Sequence, residues 1–211
     1  MGELLQKSNN FLFIISAPSG TGKTTICRYL LGKCSNLVIS VSTTTRQPRK
    51  NEVNGIDYFF TTTDNFEKQV KNNEFIEHAK IFDNYYGTSI GFVSDKIAEK
   101  KNVLFDIDWQ GMRNIKKQQQ FNVLTLFLVP PSVDILRQRL ISRGDSLEQV
   151  EKRVLGFRND AEKAEEYDYI IINDDLNKTC CEVESIYNAE VEKYKKEVNI
   201  EFIKNNLFKQ V

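Results

Sequence analysis

The patterned part of the chain opens with five consecutive apolar residues, Phe11 to Ile15. Their aromatic and β-branched content, with no polar alternation, predicts a strand buried on both faces. Small residues follow, and from Ile26 the apolar positions change to helical spacing. Cys27, Leu31 and Cys34 form one stripe there, with Ile26 and Leu30 beside it. Leu37 to Ser40 reads as a short strand. Residues 41–50 read as a loop, because Pro48 suits neither a strand centre nor a helix interior. Asn54-Gly55 marks a tight turn before the strand-like run Ile56 to Phe60. A helix is predicted from Asp64, where Asp64-Asn65-Phe66-Glu67 fits a capping box and Phe66 and Val70 supply the apolar side. Strands are predicted at Phe75 to Ala79, Tyr85 to Thr88, Val103 to Asp106 and Leu124 to Val129, the last stopped by Pro130-Pro131. From Val133 to about Glu166 the pattern is helical and charged, with Leu136, Leu140 and Ile141 on one side. Tyr169 to Ile172 is the last core strand, and a helix beyond Leu176 turns Val183, Ile186 and Tyr187 inward. Residues 195–211 alternate Lys and Asn with Val198, Ile200, Phe202, Ile203, Leu207 and Phe208. The pattern does not say what those packs against.

At 211 residues, one compact α/β unit is expected. Lys plus Arg equals Asp plus Glu at 29 each, so no global field draws the protein to nucleic acid or an anionic membrane, and any anion must be bound locally. Apolar runs fall far short of a membrane span, and the first ten residues are too polar for a signal peptide. A soluble, cytoplasmic protein is expected. Met1-Gly2 lacks the Ser or Thr that myristoylation wants at the position of Gln6. Cys27, Cys34, Cys180 and Cys181 form no C-x-x-C pair and the chain has one histidine, which argues against structural zinc. All four cysteines read as small apolar fillers in a reducing compartment.

The loop after the first strand carries the chemistry. Ala17-Pro18-Ser19-Gly20-Thr21-Gly22-Lys23-Thr24-Thr25 departs from G-x-x-x-x-G-K-[ST] only in Ala17, which is acceptable at negative φ. Glycines let successive N–H groups turn inward, and the helix start adds partial positive charge, so the loop suits a polyphosphate. Lys23 at a helix start opposes the macrodipole unless an anion is bound there. In such loops the Lys reaches the β- and γ-phosphates and the hydroxyl at Thr24 sits on Mg²⁺. Asp106, ending an apolar strand, is the expected second metal-side element.

Several further segments carry a resemblance. Ser42 to Arg49, Asn54 to Tyr58, Asn73 to Glu77 and Asn84 to Thr88, followed by Asp106 to Gly111, Pro130-Pro131-Ser132, Arg143-Gly144 and Asn173-Asp174-Asp175, resemble guanylate kinases in order over residues 11 to 190. The resemblance implies an α/β fold: a P-loop parallel sheet flanked by helices (about 10–40, 94–131 and 165–195), a mixed α+β GMP-binding insertion (about 41–93) and a helical lid (about 132–164). It implies ATP-dependent phosphorylation of GMP, with Mg²⁺ as cofactor. Arg46 and Arg49 would clamp the GMP phosphate with Tyr58 and Tyr86. Glu77, Ser42 and Thr88 would read the guanine edge, with Asp108 as the second base-side acid. Arg139, Arg143 and Arg153 would belong to the lid, and Asn173 to the adenine-side loop. The division of roles between Asp106 and Asp108 is open. His78 stands where many members have Trp, and strand alternation points it away from Glu77. Arg137 and Arg158 read as solvated charges with Glu148, Glu151 and Glu162 as partners. Two rivals are a guanylate-kinase-like module that binds phosphorylated peptides, and a nucleoside monophosphate kinase of another base choice. Oligomeric state is not set by the sequence.

Overall fold

The computed structural model describes residues 9–81 and 83–206. Gly2, Gln6 and the end of the chain from Leu207 lie outside them. A parallel sheet with strand order β2-β7-β1-β8-β9 forms the centre: β1 (Phe11–Ser16), β2 (Leu37–Ile39), β7 (Asn102–Asp106), β8 (Asn122–Val129) and β9 (Tyr169–Ile172). β1 is the middle strand, and its alternation divides the molecule. Phe11, Phe13 and Ile15 face α1 (Lys23–Lys33) and α7 (Leu176–Asn206). Leu12 and Ile14 face α3 (Ile90–Ala98) and α4 (Trp109–Gln118), together with Val93, Phe105 and Met112. Both faces are fully covered, which is why the strand shows no polar alternation. The α/β class expected from the sequence holds.

A second, mixed sheet has order β4-β3-β6-β5, built from β3 (Thr43–Thr44), β4 (Phe59–Phe60), β5 (Phe75–Ile81) and β6 (Asn84–Ser89). The expected strand from Ile56 shrinks to two residues, because Gly55 has φ 81° and residues 55–57 are spent in the turn. The helix α2 (Thr63–Lys71) starts one residue before Asp64. Its cap is Thr62, whose hydroxyl accepts from Asn65 N, not the Asp64 box. A register shift between Phe75 and Glu77 lets Phe75, Ile76 and Glu77 all be buried, Ile76 in the main core and Glu77 towards the second sheet's neighbours.

The helical stretch after Pro131 is two helices, α5 (Val133–Ser142) and α6 (Leu147–Ala161), broken at Gly144 with φ 88°. Leu136, Leu140, Val150 and Val154 give the pair its own small core, whereas Ile141 is half-exposed, contrary to the expected stripe. Arg137 is also not merely solvated: it pairs with Glu151 across the two helices at 2.9 Å. Of the cysteines, Cys27, Cys34 and Cys180 are buried, but Cys181 is exposed. α7 runs beyond residue 195 to Asn206, with Val183, Tyr187 and Tyr194 buried and Ile186 partly so. No helix among the described residues is long and apolar enough to cross a membrane.

Candidate active site

Six helices have a side chain that satisfies one or more of their first N–H groups: Thr62, Ser89, Asp108, Ser132, Ser146 and Asp175 cap α2 to α7. At α1 there is no side-chain cap. Gly22 holds the N-cap at φ 96° and Lys23 is the first helical residue. Uncapped N–H groups beside a lysine suit an external anion. Gly20 and Gly22 both have positive φ, while the described non-glycine residues with positive φ are Asn73, Lys100 and Gln119, so Ala17 is not strained. A Cβ on Gly22 would lie 2.7 Å from Asn173 Nδ2.

The loop borders an open cavity of about 980 Å³. Ala17, Pro18, Ser19, Gly20, Gly22, Lys23, Thr24 and Thr25 line one side, and Arg139 of α5 with Arg143 just beyond its end line the other. Thr21 does not line it: it is fully buried, and its hydroxyl donates to Pro18 O at 2.8 Å to shape the loop from within. Asn173 is likewise turned away. It is 2% exposed, and its Nδ2 donates to Thr21 O at 2.6 Å, fixing the loop against the end of β9. The neighbouring Asp174 is the residue that reaches the cavity. Arg139 lies in the wall and donates to Asn173 O at 3.0 Å. Arg153, on α6, donates to Ser19 Oγ at 3.0 Å and to Asp145 at 2.8 Å, so the helix pair already touches the loop.

Lys23 Nζ is paired with the Asp106 carboxylate. Burial pulls its pKa below the ordinary lysine value, against the opposing pull of Cys27, Asp108 and Asp160, which favour the charged form. A second cavity of about 380 Å³ lies on the other side, bordered by Ser42, Tyr58, Arg28 and Asp57. Thr24 and Asp106 line both cavities. Hydroxyl and carboxylate therefore stand where the two meet.

Beyond the second cavity, Glu77 is 6% exposed and accepts from Thr88 Oγ1 at 2.7 Å, with Ser42 Oγ 3.5 Å from the same hydroxyl. Burial pushes its carboxyl up to about 7, and the charge of Asp108 adds to the rise. Asp108 has a structural task as well: it caps α4, accepting from Gln110 N and Gly111 N at 3.0 Å each. Arg46 stacks 5.3 Å from the Tyr58 ring centre, and Tyr86 meets Tyr58 edge-on at 6.1 Å. Arg49 is exposed. His78 is exposed, opposite in sense to the buried Glu77.

Some lining residues escaped the sequence reading. Ile135, Gln138 and Ser142 share the cavity-facing side of α5 with Arg139 and Arg143, and the i, i+3, i+4 spacing carried that signal. Arg28 lies one helical turn beyond Thr24 and was equally accessible to it. Asp160 is pushed upwards in pKa by burial and by Asp108, near Lys23, and had no local signature.

A family model for guanylate kinase matches residues 9–190. The chain is 46% identical over 188 residues to the guanylate kinase of Rickettsia felis, covering 89% of this chain and 97% of the relative. It is 42% identical over 197 residues to that of Wolbachia pipientis wMel, covering 92% and 98% respectively. A crystal structure of guanylate kinase from Anaplasma phagocytophilum is similar with a TM-score of 0.69 at 33% identity, over 87% of each chain. A nucleotide loop at an uncapped helix, a second cavity beside it and this extent of likeness lead to one assignment: the chain belongs to the guanylate kinase family.

Proposed function

We propose that the protein transfers the γ-phosphoryl group of ATP to GMP, giving ADP and GDP, in purine nucleotide metabolism. The observation that carries this reading is the meeting of two cavities at Thr24 and Asp106. A donor nucleotide on the loop and an acceptor in the second cavity would face each other there, as in-line transfer requires. Lys23 exchanges Asp106 for the transferring phosphate oxygens. Arg139 and Arg143 add positive charge from the opposite wall, where charge develops in the transition state. Arg153 holds α6 on the loop through Ser19, which keeps water from the γ-phosphate.

On the acceptor side, Arg46 and Arg49 bind the monophosphate dianion with Tyr58 and Tyr86. The ionised Glu77 accepts from guanine N1–H and its amino group, with Ser42, Thr88 and Asp108 around it. These contacts are to base and phosphate, and none is assigned to the 2′-hydroxyl, so dGMP is proposed as a second acceptor.

Thr24 and Asp106 are hard oxygen donors, and Mg²⁺ at phosphoryl-transfer sites takes few protein ligands beside phosphates and water, so this pair fits it. When bound, the ion offsets charge on the phosphate oxygens. A coupled ADP-release assay with GMP, dGMP, AMP, CMP and UMP tests the proposal. Turnover with GMP and dGMP is expected to exceed by far that with AMP, CMP or UMP. Faster turnover with another base, or none with any nucleotide, refutes it.

A further inference from the structure

The loop joining β3 to β4 holds a carboxylate outside the set already assigned. Glu52 accepts from Arg46 Nη2 at 2.7 and 3.0 Å, and from the Arg49 backbone N–H at 2.8 Å. Its own N–H donates to Arg49 O at 3.0 Å. Both side chains of the Arg46–Glu52 pair are 17% exposed, so this is no loose surface contact. Arg46 is held from other directions too: Nη1 donates to Gln47 O at 2.8 Å, and Tyr58 and Phe60 lie under the guanidinium at 5.3 and 5.9 Å.

We infer that Glu52 is a positioning residue for the acceptor's phosphate, acting through both arginines of the clamp; this rests on the reading of Arg46 and Arg49 given above. One carboxylate fixes the side chain of the first and the backbone of the second, so their separation is set before substrate arrives. The segment between them has no regular structure and contains Pro48. A free arginine side chain there would lose rotamer freedom on binding, and Glu52 removes that cost in advance. The bond pattern also distinguishes positioning from blockade. Arg49 contributes its N–H and not its guanidinium, so its charge is left for a phosphate. Arg46 has five N–H donors, more than Glu52 and Gln47 engage. The effect therefore falls on acceptor binding and not on the transferring group, which is another cavity away.

The test compares Glu52→Gln in two backgrounds, wild type and Arg46→Lys, with GMP and ATP varied separately. In the wild-type background the KM for GMP is expected to rise about tenfold, with kcat and the KM for ATP within about twofold. In the Arg46→Lys background the same change should move the GMP KM by clearly less than about tenfold, because the guanidinium it fixes is gone and only its bond to the Arg49 N–H is left. Glu52→Asp, which retains the charge, should show a smaller rise than Gln, and decides the comparison if the Gln variant does not fold. An unchanged or lowered GMP KM overturns the inference, as does a full effect that persists beside Arg46→Lys. If Arg46→Lys raises the GMP KM and Glu52→Gln does not, only the inference falls. If Arg46→Lys itself leaves the GMP KM in place, the acceptor-phosphate reading falls and the inference with it.

Discussion

On the proposed reading of Glu77, base recognition should depend on pH in a calculable way. Guanine would present donors to it, so only the ionised carboxylate would accept them both, and GMP should select that form. Burial raises the carboxyl to about 7. The ionised fraction in the free protein is then about one tenth at pH 6 and about nine tenths at pH 8. Apparent affinity scales with the competent fraction, so the GMP KM should fall roughly tenfold from pH 6 to pH 8. The direction follows from the raised pKa: protonation weakens binding below about 7, and binding at pH 6 releases a proton. The nucleotide phosphate also titrates near pH 6, so a control is needed. Glu77→Gln supplies it, since it retains the phosphate's titration and removes the carboxyl's. The assay is initial-rate ADP release at saturating ATP, with GMP varied at half-unit pH steps, on both proteins. The ratio of the two KM values isolates Glu77. The Gln amide also places an N–H₂ against guanine's donors, so GMP efficiency at pH 8 should drop by about 2–4 kcal/mol. A wild-type-to-Gln ratio that is flat across pH would falsify the reasoning, as would equal losses for GMP and AMP.

Lys23→Met should reduce kcat by orders of magnitude while the Kd for GMP, measured by calorimetry, stays within a few-fold, if the cation acts on the transferring oxygens as proposed. Arg143→Ala should lower kcat far more than it raises the GMP KM; a change confined to KM would move Arg143 to ground-state binding. Gly22→Ala puts a side chain at φ 96° and 2.7 Å from Asn173 Nδ2. It should cost about 1–3 kcal/mol in a urea melt and raise the ATP KM, and a variant of wild-type stability would show that the loop has room to relax.

What the sequence disclosed and what it hid follow from how local each requirement is. The nucleotide loop was readable because its needs are met within nine residues: positive φ at Gly20 and Gly22, and a cation at the helix start. The buried faces of β1 were readable for the same reason. Thr21 and Asn173 were assigned from position in a motif, which could not show that the side chain of each is turned inward to hold the loop's shape. Asp108 was read for its chemistry, and its place as the cap of α4 was overlooked although the helix follows at once. Glu52 left no trace in any period, since a loop held by one ion pair has none.

The route by which Asn173 reaches Thr21 bears on how the chain comes to be folded. The two residues are 152 positions apart, and the backbone N–H of Phe11 is bonded to Asn102 across 91. Such distant pairings close slowly, because loop entropy must be overcome before any contact forms. During synthesis the segment that will become the nucleotide loop emerges first, yet its strand has no partner until β7 and β8 are made, and no latch until β9 has followed. The hairpin β5–β6, by contrast, pairs across a few residues, so its ladder can close as soon as both strands are made. The earliest translated part of the site is therefore the last to take its working shape, and a chain arrested before residue 173 would carry the full nucleotide motif without its final fastening to β9.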